Sequence, residues 1–246
     1  MPARPEEWIV PAWPAPAHVR ALITTRNGGR SAGPYASMNL GLSVGDDPVI
    51  VERNRRLLKA FLPAEPKWLN QVHGTRVMNA DSIAGPAEAD ASVATSPGCV
   101  SVVMVADCLP ILITDRIGSI VAVAHAGWRG LAAGVIENTI AAIGDRPENL
   151  LAYLGPAIGP SAFEVGDEVR HAFVTVDRAA QAAFRPHQSG KWLADLFLLA
   201  RQRLAKAGVA NVYGGGQCTY SDPARFFSHR RDKVSGRMAA LIWIEN

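Results

Sequence analysis

Three residues in the middle of the chain, His73, Cys108 and His125, carry side chains that suit metal binding or proton transfer. Cys108 follows an aspartate in ADCLP, His125 precedes Gly-Trp in HAGWRG, and His73 ends the run LNQVH. One thiolate and two imidazoles suit Zn²⁺, and three protein ligands leave the fourth position open, as in catalytic zinc sites. The spacings of 35 and 17 residues match no short zinc motif. The zinc hypothesis therefore rests on the residue types and not on their spacing.

Cys108 and His125 also suit a metal-free reaction. The thiolate would be the nucleophile and the imidazole its base, with Asp107 or another acceptor orienting the ring. Each residue taken singly is more often a buried structural side chain. A non-catalytic metal-binding or interaction module is the third class of function that these residues allow.

The elements that must bring Cys108 and His125 together are two strands predicted over 109–115 and 118–125. If a two-residue loop joins them, positions whose numbers sum to 233 face each other, and Cys108 opposes His125. A three-residue loop with a bulge at Gly118 would instead turn Cys108 to the other face. We predict that the two side chains meet, with His73 converging from a separate strand end.

The remaining pattern mixes strands with helices, several strands being joined by short hairpins. This mixture favours an α+β fold over a doubly wound parallel sheet. No repeat or Gly/Ser linker divides the chain, so we expect residues 1–246 to form a single domain with a proline-rich surface strip over 1–17. Further strands are predicted near 18–26, 67–73, 76–80, 100–106, 150–159 and 238–245, and helices over 48–62, 131–143, from 168 and over 192–208.

Composition excludes several classes of protein. With 48% hydrophobic and 19% charged residues the chain is not disordered. Three cysteines, an odd number, argue against a disulfide framework and for a reducing compartment. No apolar run suits a signal peptide or a membrane span, so we expect a cytoplasmic protein with no membrane partner. A net charge of +3 does not demand nucleic acid, and we interpret the basic, aromatic run 218–237 as a loop folded against the site.

Five stretches resemble the YfiH-type laccase-domain family, known both as polyphenol oxidases and as purine nucleoside phosphorylases: NQVHG, ADASVAT…ADCLPILI, VAHAGWRG, WLADL and CTYSDPARFFSHRRDKVSGRMAALIWI. The resemblance implies that His73, Cys108 and His125 bind zinc and act in catalysis. It also implies phosphorolysis of adenosine, inosine and methylthioadenosine, and deamination of adenosine. The implied fold is one α+β domain of mixed β-sheets flanked by helices, a fold likened to toxin deamidases of the cytotoxic necrotizing factor type.

Candidate substrate residues lie in the flanking segments. Arg55 in ERNRRLL resembles the family's Asn-Arg pair, and Ser37 and Asn39 in ASMNL resemble its polar loop, suited to ribose or base. Arg129 follows His125 at the expected start of a helix, where a guanidinium fork and free backbone N–H groups favour phosphate. The alternatives are a solvated helix face for Arg55 and turn chemistry for Ser37 and Asn39.

Two rival activities follow from the same residues. A multicopper oxidase needs many imidazoles, several in His-x-His pairs, whereas the six histidines here form no such pair. A single copper ion remains an alternative to zinc, because sulfur and nitrogen ligands suit both metals.

A Cys–His hydrolase or deamidase is the other rival, since the toxin deamidases use such a pair and some family members are linked to cell-wall precursor editing. The expected partners are purine nucleosides and phosphate.

Overall fold

The computed structural model describes residue 5 and residues 7–85, 87–188 and 190–245. The strands are β1 (Val19–Ile23), β2 (Leu69–Asn70), β3 (Val77–Asn79), β4 (Ala87–Glu88), β5 (Ala91–Ala94), β6 (Ser101–Val105), β7 (Leu109–Asp115), β8 (Val121–Ala126), β9 (Leu150–Leu154), β10 (Glu164–Gly166), β11 (Phe184–Pro186), β12 (Lys191–Ala194), β13 (Asn211–Gly214) and β14 (Met238–Ile244). The α-helices are α1 (Pro48–Lys59), α2 (Trp128–Ala133), α3 (Val135–Ile143), α4 (Asp167–Val174), α5 (Leu196–Lys206) and α6 (His229–Asp232).

A mixed six-stranded sheet in the order β13-β9-β7-β8-β5-β3 forms the centre of the fold. The outer pairs β13–β9 and β3–β5 are parallel, and the inner pairs are antiparallel. A second, antiparallel sheet has the order β1-β14-β6. Two smaller sheets, β10-β12-β11 and β2-β4, complete the set. The predicted α+β class with mixed sheets and flanking helices is confirmed.

The central sheet is covered on both faces, which explains why β7 reads as an almost continuous apolar run. Ile111 and Ile113 on one face pack into the cluster that contains Ile136 of α3. Leu112, on the opposite face because strand side chains alternate, packs against Ile242 of the second sheet. The other face of that second sheet packs against α1. Strand β8, which carries His125, and strand β7, which follows Cys108, thus lie inside a layered core.

The hairpin of β7 and β8 has a different register from the predicted one. Pro110 faces His125 and Thr114 faces Val121, so paired positions sum to 235 rather than 233. The prediction of a two-residue loop was therefore wrong, and a longer connection over 115–120 joins the strands. The shift is two residues, which preserves the face on which each side chain lies. Cys108 and His125 consequently remain on one face.

The predicted helices differ from the observed ones in their bounds. The helix over 48–62 ends earlier, at Lys59, and the helix predicted from 168 begins at Asp167. The helix over 131–143 begins earlier, at Trp128, and is divided by Gly134, whose φ of 104° is left-handed. The helix over 192–208 begins only at Leu196, where Asp195 accepts a hydrogen bond from the Leu198 N–H. Its first predicted turn is instead strand β12, because backbone pairing with β10 and β11 overrides the local preference.

The N-terminal strip is described only at residue 5 and from residue 7 onward. Trp8 is buried and contacts Phe61 edge-on with ring centroids 5.3 Å apart. Trp13 contacts Tyr153 in the same way at 5.9 Å. Both tryptophans therefore pack against the core clusters of the fold. Among the described helices, none has the length and apolar composition needed to cross a membrane.

Candidate metal centre

Cys108 stands directly before β7, after a sharp turn in the chain. Asp107 has a φ of 88°, and its buried carboxylate accepts hydrogen bonds from the Thr219 hydroxyl and the Arg230 N–H, each at 2.6 Å. Extending the observed register by one position beyond the pair Leu109–Ala126 places Gly127 across from Cys108. A Cβ at Gly127 would lie 2.9 Å from the Cys108 sulfur. The glycine of HAGWRG therefore leaves room for the thiol.

His125 lies on β8 and is 3% exposed, with Nδ1 2.8 Å from Oδ1 of Asp90. A carboxylate only accepts hydrogen bonds, so the ring donates its Nδ1–H to Asp90 and leaves Nε2 as the atom that a metal can bind once the ring is neutral. Asp107 or another acceptor was expected in this role. The acceptor is Asp90, since Asp107 is occupied by its own two donors.

Asp90 also fixes His73, which lies in the loop after β2 with a φ of 60°. Its carboxylate accepts hydrogen bonds from the backbone N–H groups of His73 at 2.9 Å, Gly74 at 2.7 Å and Val72 at 3.2 Å. One fully buried carboxylate thus holds the loop of one histidine and the ring of the other.

The three predicted ligands converge. The ligand atoms of His73, Cys108 and His125 all lie within 4.8 Å of one another. The Cys108 sulfur is 3.8 Å from Nε2 of His73, and the two imidazole centroids are 4.8 Å apart. His125 is buried, Cys108 is partly exposed and His73 is exposed. The group is therefore closed on the protein side and open on the His73 side.

The electrostatics of the cluster favour a thiolate. Burial raises the pKa of the Cys108 thiol, but the charge of His125 and hydrogen bonds from both histidines lower it to about 6. Burial lowers the pKa of His125, whereas the Cys108 charge and the Asp90 hydrogen bond raise it to about 9. The pair is thus a thiolate and an imidazolium near neutral pH, a form ready either to attack an electrophile or to bind a metal on loss of one proton.

A cavity of about 850 Å³ opens beside the cluster. Its charged lining consists of three arginines, Arg55, Arg129 and Arg237, and one carboxylate, Glu88, in addition to histidines. Among the described residues, none of the three arginines has a carboxylate oxygen within 4.0 Å. The lining is therefore positively charged.

The two predicted phosphate ligands line this cavity. Arg129 is the second residue of α2, and its guanidinium lies 4.5 Å from the Trp128 ring centroid. Arg55 does not lie on a freely solvated helix face. Its Nε and Nη2 donate to the Leu40 carbonyl at 3.0 and 2.9 Å, and its guanidinium covers Trp68 at 3.9 Å.

Ser37 and Asn39 do not line the cavity. The Ser37 hydroxyl accepts from the Gly29 N–H and donates to the Arg26 carbonyl. Asn39 is fully buried, and its Oδ1 accepts from the Gly41 N–H and from the Arg237 N–H, both at 2.9 Å. Both residues organise the loop behind the cavity wall, and their direct contact with substrate stays a prediction.

The basic, aromatic run near the C-terminus is a structural segment. Phe226 and Phe227 are buried, in a cluster with Met238, so their rings are not available to stack on nucleic-acid bases. Arg231 donates to the carbonyls of Thr219, Tyr220 and Phe226, which closes the loop on itself. The expected loop against the site is present, and His229 of this segment lines the cavity.

Sequence reasoning missed two of the residues that shape the site. Asp90 lies in ADASVAT, a stretch already quoted for the resemblance, but its partners are 17 and 35 residues away. Arg237 was one of several basic residues in a single run. The signal for Asp90 was an acidic residue directly before a short, mostly apolar strand, whereas no sequence signal set Arg237 apart.

Comparison with known proteins gives a consistent match. A family model described as multi-copper polyphenol oxidoreductase laccase matches residues 20–245. The protein named purine nucleoside phosphorylase YfiH of Escherichia coli K12 is 55% identical over 239 residues, covering 96% of this chain and 98% of that protein. A Pseudomonas aeruginosa protein, also named a purine nucleoside phosphorylase, is 53% identical over 240 residues, covering 97% and 99%.

Solved structures have the same fold. A Neisseria meningitidis protein has a TM-score of 0.95 at 52% identity, covering 98% of this chain and 100% of that chain. YlmD of Geobacillus stearothermophilus has a TM-score of 0.86 at 32% identity, covering 96% and 94%. The family match over residues 20–245 spans the segments that line the cavity.

Proposed function

This chain belongs to the multi-copper polyphenol oxidoreductase laccase family, and from that premise we propose that it is a zinc-dependent purine nucleoside phosphorylase. The observation that carries the proposal is the union of a His-Cys-His cluster with a cavity whose three arginines have no carboxylate partner in the described residues. Close relatives that bear the phosphorylase name support it.

The donor set fits zinc. A sulfur and a nitrogen that bind one tetrahedral zinc lie about 3.6 Å apart, given bond lengths of about 2.3 and 2.0–2.1 Å. The 3.8 Å between the Cys108 sulfur and His73 Nε2 is close to this spacing. When bound, zinc would supply a Lewis acid with an open position for substrate. His73, Cys108 and His125 would hold the ion, and Asp90 would keep the His125 ring in the required tautomer. Copper is the alternative metal, because the same ligands accept it.

Phosphorolysis is the reaction that best uses the arginines. A phosphate oxygen forms a bond to C1′ of the nucleoside, the C1′–N9 bond breaks, and its electron pair leaves on the purine, which takes up a proton. Ribose 1-phosphate and free base are the products. Arg129 and Arg55 would bind the phosphate oxygens through charge-assisted hydrogen bonds. The cavity volume suits a nucleoside with phosphate, being in the range of small-molecule sites.

The proposed substrates are adenosine, inosine and methylthioadenosine. The proposal extends to adenosine deamination, in which water adds at C6 and ammonia leaves. The chain lacks the H-x-E and P-C-x-x-C signature of zinc nucleobase deaminases, so any deamination would use this different scaffold. We place the activity in a reducing compartment, the cytoplasm, since Cys99, Cys108 and Cys218 are all free thiols.

A metal-free Cys–His hydrolase or deamidase is the second candidate, and one observation favours it. Cys108, His125 and Asp90 form a nucleophile, base and orienting acid with the thiol pKa lowered to about 6. Such an enzyme needs water and no phosphate. The arginine lining of the cavity is the reason we rank it second.

Two measurements separate these candidates. The zinc enzyme should contain about one zinc per chain, and base release from inosine should require phosphate and yield ribose 1-phosphate. Arg129→Lys keeps the charge but loses the fork, so phosphorolysis should fall roughly 10- to 150-fold, the effect of one charge-assisted hydrogen bond, with zinc content unchanged. Equal base release without phosphate would refute the phosphorylase assignment. Ammonia release from adenosine in both conditions would reveal deamination.

A further inference from the structure

Arg237, the residue directly before β14, lies on the wall of the same cavity as the His-Cys-His cluster. Its hydrogen bonds in the described structure run through one nitrogen. Nη1 donates to the Ser235 carbonyl at 2.9 Å, the Ser235 hydroxyl at 3.3 Å and the Gly236 carbonyl at 3.0 Å. All three acceptors are neutral. The guanidinium is thus tethered on one side, with Nε and Nη2 left to bind another group.

The charge of Arg237 is only weakly balanced by its surroundings. Burial lowers its pKa, and the nearby charges of Cys108 and Asp107 raise it. Asp107 is occupied by the Thr219 hydroxyl and the Arg230 N–H. No carboxylate oxygen among the described residues lies within 4.0 Å of the Arg237 guanidinium, so this half-buried cation would be stabilised by an anion that enters the cavity.

A dedicated support fixes the backbone of Arg237. Asn39 accepts a hydrogen bond from the Arg237 N–H, and the Leu40 N–H donates to the Arg237 carbonyl at 3.1 Å. The next residue is Gly41, where a Cβ would lie only 2.9 Å from Cγ of Arg237. The segment 39–41 thus holds the backbone of Arg237 through two hydrogen bonds, and Gly41 leaves space for the Arg237 side chain.

The same segment also holds Arg55, whose Nε and Nη2 both donate to the Leu40 carbonyl. Leu40 is therefore bonded to Arg237 through its N–H and to Arg55 through its carbonyl. Two guanidiniums that line one cavity are held by a single extended stretch of backbone. Such an arrangement suits an anion with several acceptor oxygens.

We propose that Arg237 is the anchoring ligand for inorganic phosphate, with Asn39 and Gly41 as its positioning residues. The inference rests on the proposed phosphorylase function and names a third arginine of its phosphate site. Arg237 holds phosphate oxygens that do not react, while another oxygen of the same phosphate attacks C1′ of the nucleoside and the purine departs from it. The neutral tethers on Nη1 fix the direction of the remaining donors.

The test uses the zinc-loaded protein and four variants. Arg237→Lys keeps the charge and loses the fork, Arg237→Gln loses both, and Gly41→Ala displaces the Arg237 side chain without altering it. Arg20→Gln is the control, since it also removes one cation but lies in an exposed pair with Glu245. The readouts are zinc content, the KM values for phosphate and for inosine, and calorimetric titration with inorganic phosphate alone.

The expected result is a phosphate KM raised roughly 10- to 150-fold in Arg237→Lys, as for loss of one charge-assisted hydrogen bond, with the inosine KM and zinc content unchanged. Gly41→Ala should shift phosphate KM in the same direction, and Arg20→Gln should match the parent. A phosphate KM and calorimetric affinity in Arg237→Lys equal to those of Arg20→Gln would overturn the assignment of Arg237. Phosphate-independent base release by the parent protein would refute the phosphorylase function instead, and calorimetry would still report whether Arg237 binds the anion.

Discussion

Cys99, shortly before β6, and Cys108, directly before β7, are both partly exposed free thiols. At Cys99, burial raises the thiol pKa, and the hydrogen bond and charge of Asp81 raise it further, to about 11. At Cys108 the pKa is about 6, although that thiol is also buried against the protein. Two cysteines only nine positions apart in the sequence thus have thiol pKa values on opposite sides of neutral pH.

The difference lies in what stands between the thiol and the carboxylate. Asp81 faces Cys99 directly, so its negative charge disfavours a thiolate. Asp90 acts on Cys108 only through the ring of His125, which it holds in place and whose positive form it stabilises. A carboxylate therefore suppresses a thiolate by direct contact and promotes one through an imidazole.

The largest expected effect is that of removing each thiol. Cys108→Ala should abolish stoichiometric zinc binding and lower turnover at least about 10³-fold, because a metal ion supplies several kcal/mol of transition-state stabilisation. Cys99→Ala should retain both properties, since its thiol remains protonated and unpaired with histidine. Metal analysis and inosine turnover measure the two effects. Full zinc content in Cys108→Ala would show that Cys108 is not a metal ligand. Equal losses of zinc and turnover in Cys108→Ala and Cys99→Ala would show that both substitutions act only by disturbing the fold.

The second effect concerns the carboxylates. Asp90→Asn keeps the shape of the side chain but replaces an acceptor oxygen with an N–H group, which faces either the His125 ring or the backbone N–H groups of 72–74. Zinc affinity or activity should fall about 10- to 100-fold, as for other groups that orient metal-binding histidines. Asp81→Asn is the matched control and should leave both unchanged. Zinc affinity of parental strength in Asp90→Asn would show that His125 does not depend on this hydrogen bond.

The sequence was sufficient to predict the convergence of the three ligands but not their support. The predicted hairpin register was wrong by two positions, yet Cys108 and His125 still share a face because side chains alternate with a period of two. Asp90 escaped prediction because its position depends on β5 pairing with β8, and β5 is a four-residue strand without clear periodicity. Pairing between distant segments is not encoded in any local window.

Asn39 illustrates the same limit from the other direction. Its sequence context indicated substrate contact, whereas its side chain is buried and accepts a hydrogen bond from the Arg237 N–H, 198 residues away in the sequence.

The single-domain prediction for residues 1–246 stays a prediction. One cooperative thermal transition, seen alike by far-ultraviolet circular dichroism and by tryptophan fluorescence, would support it.

The smallest expected effect is the reactivity ratio of the two thiols in metal-free protein. A thiolate forms as pH rises through the pKa, so at pH 7.5 Cys108 is almost fully ionised, whereas Cys99 is ionised to roughly 3 parts in 10⁴. That ratio of about 3,000 overstates reactivity, because nucleophilicity falls with pKa with a Brønsted coefficient of about 0.4–0.5. Over about five pKa units this factor removes roughly 100- to 300-fold, which leaves Cys108 about 10- to 30-fold faster toward iodoacetamide.

The alkylation rate of Cys108 should level off above about pH 7 and fall below pH 6, while the alkylation rate of Cys99 should climb about tenfold per pH unit up to pH 10. Peptide mass spectrometry after timed alkylation measures both rates, and added zinc should protect Cys108 alone. If Cys108 alkylation instead rose steadily from pH 7 to pH 9, the histidines would not stabilise its thiolate, and the contrast between the two sites would fail.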